Sequence, residues 1–199
     1  FHLKQTIKWL AENPRIEKIH LIAHSRGTDV AVSAFRELVI WARAAGLNPR
    51  KYFKIANFIM AAPDLDVQVV SQRIGGERLA LEVDQGVLYS SPDDKAIGIA
   101  ETLFASPQGR RGTLDISELT KTELDRLKVN SSRITVVNFQ GKSTGYGHSY
   151  FRTNPAVSSD LVLIIRYGLK PGDPGRPLEH IGANFWRVPP GYPGGKGKP

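Results

Sequence analysis

Residues Lys18–Val30, which read K-I-H-L-I-A-H-S-R-G-T-D-V, decide the fold of this chain. The run Ile19–Ala23 is typical of a buried parallel strand, and the residues after Gly27 have the periodicity of an amphipathic helix. Ser25 stands in the sharp turn between them. A strand, a serine-bearing turn and a helix in direct succession are the context of a nucleophile elbow, because the strained turn holds the hydroxyl above the carboxyl end of the sheet.

The turn has the pattern A-x-S-x-G, with Ala23 and Gly27 on either side of Ser25. Small residues are expected at these two positions because the strand and the helix pass close to the serine. The backbone N–H of Arg26 is then expected to point to where an oxyanion forms. The alternative interpretation is an ordinary turn in which the Ser25 side chain caps the helix.

The composition is that of a globular domain. The chain has 199 residues, of which 41% are hydrophobic and 23% charged, enough for one domain with a substantial core. No apolar run approaches the ~20 residues of a membrane-spanning helix, and no signal peptide is apparent. The chain has no cysteine, which fits either redox environment. We expect a soluble protein, cytoplasmic or exported, and the pattern leaves its oligomeric state open.

The formal net charge of +8 raises the question of an anionic partner. The basic residues are scattered, with short clusters at Arg110–Arg111 and at Lys196 and Lys198, and they form no stripe interleaved with aromatic residues. We therefore predict no nucleic-acid partner. The five histidines have no H-E-x-x-H or other metal-ligand spacing, so neither a metal nor another cofactor is predicted.

Strand-like and helix-like segments alternate along the chain. The alternation predicts an α/β fold with a mainly parallel sheet flanked by helices. From residue 171 proline and glycine dominate, so we predict a domain over 1–170 and an extended surface tail over 171–199. The predicted strands lie at 18–23, within 52–60, at 86–90 and at 133–139, and the predicted helices lie at 3–11, from the turn to Gly46, and at 67–73, 95–104, 120–127 and 154–167.

Polar residues suited to catalysis follow each of the four predicted strands: Ser25, then Asp64 and Asp66, then Asp93 and Asp94, and last His148. The carboxyl ends of parallel strands meet at one edge of a sheet, and ligands bind there. The sequence therefore predicts a site with a serine, a carboxylate and a histidine at this edge. His24, although it adjoins Ser25, is expected to point away from the site.

Four motifs carry a resemblance to a known family: Ala23–Gly27 (AHSRG), Ala61–Asp66 (AAPDLD), Ser90–Ala96 (SSPDDKA) and His148–Phe151 (HSYF). In this order they resemble the C-terminal half of an α/β hydrolase of the lipase or esterase type. More narrowly, they resemble an uncharacterised bacterial branch whose serine motif reads A-H-S-x-G. The order Ser, Asp, His is that of the α/β hydrolases.

The resemblance implies a serine hydrolase that cleaves a small-molecule carboxylic ester. It implies Ser25 as the nucleophile, Asp94 as the acid and His148 as the general base, with an acyl-enzyme intermediate. Asp93 is an alternative acid, in which case Asp94 is a favourable charge at a helix N-terminus. Asp64 is a second alternative, because some hydrolases carry the acid one strand earlier; its other interpretation is a helix cap.

The full α/β-hydrolase fold has about four more strands before the nucleophile strand, and a loop among them supplies a second oxyanion donor. This chain has one predicted helix there and no H-G-G-G-like segment. We therefore expect the first strand to lie at an edge of the sheet and the N-terminal half to belong to another segment or chain. An acyltransferase with the same triad and a non-catalytic scaffold remain alternative functions.

Overall fold

A computed structural model of the protein describes residues 1–65, 67–91, 120–122, 125, 133–140 and 148–194. The strands in this part of the chain are β1 Ile19–His24, β2 Ile55–Ala61, β3 Gln85–Ser90, β4 Ile134–Asn138, β5 Glu179–Gly182 and β6 Phe185–Arg187. They form a sheet in the order β1-β2-β3-β4-β6-β5. All run parallel except β5, which pairs antiparallel with β6 at one edge. The predicted α/β fold with a mainly parallel sheet is confirmed.

The last long helix begins and ends at residues that favour helix termini. Asn154 caps the last long helix by accepting a hydrogen bond from the Ala156 N–H at 2.9 Å, Pro155 opens it, and Gly168 closes it with a φ of +65°. The helices are α1 His2–Glu12, α2 Gly27–Ala44, α3 Pro49–Phe53, α4 Val67–Val70, α5 Tyr150–Thr153 and α6 Pro155–Tyr167, with a π-helical turn at Ser71–Gly76 and a 3-10 turn at Leu79–Glu82.

Helices cover both faces of the sheet. One core cluster packs α1, α2 and α3 on one face, where Ile7 and Phe35 are almost completely buried. A second cluster packs α5 and α6 on the opposite face through residues such as Val157 and Ile164. β2 lies between the two clusters, and all seven of its residues are buried, as expected for a parallel strand that is covered on both faces.

β1 lies at the edge of the described sheet. It pairs with β2 and with no other strand in the described ranges. Ile22, which faces the side of the sheet occupied by α5 and α6, is 46% exposed. The expectation that the strand before Ser25 is an edge strand is therefore confirmed for the part of the chain that is described.

The segment after residue 171 differs from the surface tail that its composition suggests. It contributes β5 and β6 to the sheet, and β6 pairs in parallel with β4. Leu178, Phe185 and Val188 are each buried at 6% exposure or less. Strands of three or four residues are too short to show a clear alternation of apolar and polar residues. The sequence pattern therefore does not reveal these two strands among the surrounding proline and glycine residues.

A fully buried ion pair attaches this segment to α6. Arg176 and Asp160 have no exposed side-chain surface, and two hydrogen bonds join the guanidinium to the carboxylate at 2.8 and 2.9 Å. The hydroxyls of Tyr89 and Tyr192 also donate to Asp160. Burial alone would lower the pKa of Arg176, but its hydrogen bonds and its attraction to Asp160 outweigh that cost and raise the pKa.

A further difference lies between α2 and β2. The strand predicted within 52–60 is present as β2, and the short helix α3, which the sequence pattern does not predict, precedes it. The reason is local: the Asn48 side chain accepts from the Lys51 N–H at 3.0 Å, Pro49 occupies the first turn, and Lys54 ends the helix with a φ of +53°. The predicted helix at 95–104, and half of the residues of the one at 120–127, lie outside the described residues. No described helix has the length and apolar character needed to cross a membrane.

Candidate active site

Ser25 lies in a strained turn between β1 and α2. Its φ is +55°, a conformation that a residue other than glycine rarely adopts. Its carbonyl oxygen accepts from the Thr28 N–H at 2.9 Å, from the Thr28 hydroxyl at 2.5 Å and from the Asp64 N–H at 3.4 Å, and its own N–H donates to the Ala61 carbonyl at 3.1 Å. These hydrogen bonds offset the strain and hold the serine in place. The predicted strand-turn-helix arrangement is therefore present.

The helix that follows begins at Gly27, and its N-cap is Arg26 without a side-chain capping hydrogen bond. The alternative interpretation of Ser25 as a helix cap is therefore wrong. The backbone N–H of Arg26 lies at the N-terminus of an 18-residue helix, where N–H groups have no intrahelical acceptor and the helix dipole is positive. A Cβ atom built at Gly27 meets no described atom within 4 Å, so close packing does not explain the glycine.

Asp64 follows β2 and lies beside the serine turn. Its side chain is 5% exposed, and its Oδ2 is 3.4 Å from a guanidinium nitrogen of Arg26. Its Oδ1 has no hydrogen-bond partner among the residues that the structure describes. The structure thus brings one predicted carboxylate to the serine, while Asp66, Asp93 and Asp94 lie outside the described residues.

His148 lies next to the same turn, attached to His24. The Nε2 of His24 is 3.0 Å from the His148 carbonyl oxygen, and the two ring centroids are 4.6 Å apart. The centroid of the His24 ring also lies 4.5 Å from that of the Phe151 ring. The expectation that His24 points away from the site is therefore wrong.

Strand alternation could have corrected the expectation for His24. Ile19 and Ala23 belong to the core cluster under α1 and α2, and Leu21 packs against that cluster. Successive side chains of a strand point to opposite faces, so His24 must face the other side. That side carries α5 and α6, and with them the segment that begins at His148.

Tyr150 connects the segment that begins at His148 to the carboxyl ends of β2 and β3 through hydrogen bonds. The side chain is fully buried; its hydroxyl donates to the Tyr89 carbonyl at 2.8 Å and accepts from the Ala62 N–H at 3.2 Å. Ala62 has a φ of +45°, so a second strained residue lies at this edge of the sheet. The Tyr150 ring also stacks on Phe139 at a centroid distance of 5.6 Å. Its position two residues after His148 is the sequence signal for this role.

The arrangement combines a strained serine, a helix N-terminus, a carboxylate and a histidine at one edge of a parallel sheet. In the described ranges, no group of three histidine, aspartate or glutamate side chains is placed to hold a metal ion. A mainly parallel sheet with helices on both faces and a serine elbow at its carboxyl edge defines an α/β hydrolase.

The chain belongs to the family of α/β hydrolases of unknown function (DUF900), whose family model matches residues 1–166. No curated protein matched the chain, and no solved structure matched it. The family match ends within α6, so the segment held by Arg176 lies beyond it.

Proposed function

We propose that the protein is a serine hydrolase that cleaves a carboxylic ester through an acyl-enzyme on Ser25. The observation that carries this proposal is the φ of +55° at Ser25, held by hydrogen bonds from Thr28 and Asp64 between a strand and a helix. Backbone strain of this kind costs about 1–3 kcal/mol, persists where the surrounding structure imposes it, and is frequent at active sites. The substrate class, a small-molecule ester, follows from the lipase-like motifs of the sequence.

The proposed reaction has two steps. The Ser25 hydroxyl attacks the ester carbonyl carbon while His148 accepts its proton; the ester C–O bond then breaks, and the alcohol leaves with that proton. A water molecule next attacks the acyl carbon as His148 again accepts a proton, and the carboxylic acid leaves while Ser25 regains its hydrogen. The link between His148 and His24, the residue before Ser25, supports His148 as the base.

The oxyanion of each tetrahedral intermediate is stabilised by the N–H of Arg26. Support comes from the position of that N–H at the positive end of α2. One such donor is typically worth ~10²–10³ in rate.

The acid that orients His148 is proposed to be Asp94, by the motif, with Asp93 and Asp64 as the alternatives. Burial beside the serine turn, and an oxygen that no described residue satisfies, favour a role for Asp64 at the site. The variants Asp94→Asn, Asp93→Asn and Asp64→Asn decide among the three. Replacement of the acid is expected to lower kcat by about 10⁴-fold, whereas each of the other two replacements leaves most of the activity.

The test of the function is hydrolysis of p-nitrophenyl acetate and butyrate by the full chain. Ser25→Ala is expected to abolish turnover, and Ser158→Ala, which removes a hydroxyl bonded to a helix carbonyl on α6, is expected to leave it unchanged. Added alcohols that divert the acyl group from water would identify an acyltransferase on the same triad. Equal turnover by the chain and by Ser25→Ala, or none by either, would contradict the proposal.

A further inference from the structure

We propose that His24 is a positioning residue for His148: it holds the segment that carries the general base against the strand that carries the nucleophile. This inference rests on the proposed function of Ser25 and His148. It concerns a residue that neither the family description nor the triad assigns.

The contact joins the two parts of the site directly. His24 and His148 are 124 positions apart in the chain, yet the His24 Nε2 lies 3.0 Å from the His148 carbonyl oxygen. Because a carbonyl oxygen only accepts, His24 must carry its proton on Nε2 and donate it. The hydrogen bond therefore fixes the backbone from which the His148 imidazole extends.

Ring packing completes the contact. The His24 ring lies 4.6 Å from the His148 ring and 4.5 Å from the Phe151 ring, with interplanar angles of 46° and 38°. Residues on both sides of Tyr150 therefore pack on a single imidazole. His24 is the last residue of β1, and Ser25 follows it directly. Only one peptide unit therefore separates the residue that contacts His148 from the nucleophile.

A second anchor makes the role of His24 separable from folding. Tyr150 holds the same segment through its hydroxyl, which bridges the Tyr89 carbonyl and the Ala62 N–H. The loss of the His24 hydrogen bond is therefore expected to shift His148 without detaching the segment. A misplacement of about 1 Å at a catalytic group can cost ~10²-fold in rate.

The experiment measures kcat and KM of the full chain for p-nitrophenyl acetate, together with the thermal midpoint, in two variants of His24. His24→Phe keeps a ring and removes the donor, and His24→Gln restores an N–H donor at a similar reach. We expect His24→Phe to lower kcat about 10–100-fold with little change in KM, because positioning acts on the chemical step, and we expect His24→Gln to regain most of that loss.

His180→Phe is the matched control. His180 also lies 2.8 Å from a backbone carbonyl through its Nε2, and its ring also packs on an aromatic ring, Trp186, at 4.6 Å, but in β5 away from the serine. The control is expected to keep full kcat. If the thermal midpoint falls equally in His24→Phe and His180→Phe while kcat falls only in His24→Phe, the loss of kcat is not caused by lower stability.

The outcomes distinguish the two proposals. An active chain whose kcat is unchanged in His24→Phe overturns the role of His24 alone, as does a loss in His24→Phe that His24→Gln does not recover. A chain that is inactive toward the ester overturns the proposed function, and the role of His24 with it.

Discussion

The replacement Arg176→Met removes one partner of the buried ion pair that attaches the C-terminal segment to α6. Methionine fills much of the space of the arginine side chain but carries neither charge nor donors. The Asp160 carboxylate would then stay fully buried with only the hydroxyls of Tyr89 and Tyr192 donating to it, since both hydrogen bonds from Arg176 are lost.

The cost follows from the burial of both side chains. Removal of one partner of a buried pair costs about 3–5 kcal/mol, because an uncompensated charge remains in the interior. For a chain of 150–250 residues each kcal/mol lowers the thermal midpoint by roughly 2–4 °C, so we expect a fall on the order of 10 °C. Residues 171–194 are expected to lose protection first, since Arg176 lies among them.

The assay is thermal unfolding followed by circular dichroism, with hydrogen exchange of the 171–194 peptides. Arg50→Met is the matched control, because Arg50 makes two hydrogen bonds to Asp84 at 2.8 and 2.6 Å while both side chains are 40–50% exposed. Exposed pairs contribute about 0–1 kcal/mol, so this variant is expected to lose little stability. Equal losses in the two variants would refute the argument from burial.

Three further predictions concern the strained turn, the partly buried His20 and the two tyrosines that donate to Asp160. Ser25→Gly is expected to be more stable than Ser25→Ala by about 0.5–1 kcal/mol, because glycine adopts a positive φ without the cost of a Cβ atom; chemical denaturation measures the difference, and an alanine variant as stable as the glycine variant would speak against strain at Ser25. Burial, and then the charge of Lys18, hold the pKa of His20 below its usual 6.5, so the unfolded chain binds more protons as the pH falls below that value. The free energy of unfolding is therefore expected to decrease from pH 7 to pH 5, with a weaker dependence in His20→Asn; identical slopes would refute this. Burial, and then the charge of Asp160, raise the pKa of Tyr89 and of Tyr192 above their usual 10.0, so the unfolded chain loses these protons first and stability is expected to fall as the pH rises above 10. The double variant Tyr89→Phe/Tyr192→Phe should unfold with a flatter alkaline pH dependence, and an unchanged dependence would contradict the assignment.

Local sequence patterns predict the elements that position Ser25. The apolar run before it, the helical periodicity after it and the turn chemistry around Asn154 all act over a few residues, so they are visible without tertiary information. The helix α3 was missed although Asn48 and Pro49 are favourable starting residues, because the apolar residues that follow them are equally suited to a strand.

Long-range contacts account for what the sequence does not predict. β6 is held by its pairing with β4, and Arg176 by a carboxylate on another element, so neither is evident from the composition of residues 171–194. The direction of His24 is different, because the alternation of side chains along β1 predicts it without any long-range contact. The roles of Asp93 and Asp94 remain predictions from the motif.

Active-site labelling with a fluorophosphonate tests the nucleophilic role of Ser25 most directly. This probe reacts with a serine that a neighbouring base activates. Tryptic digestion after Lys18 and Arg26 releases the peptide Ile19–Arg26, which holds Ser25 as its single serine, so mass spectrometry can locate the adduct. We expect an adduct on this peptide that is absent in Ser25→Ala and forms much more slowly in His148→Ala. An unlabelled peptide, or a label that forms equally fast without His148, would contradict the assignment of Ser25 as a nucleophile activated by His148.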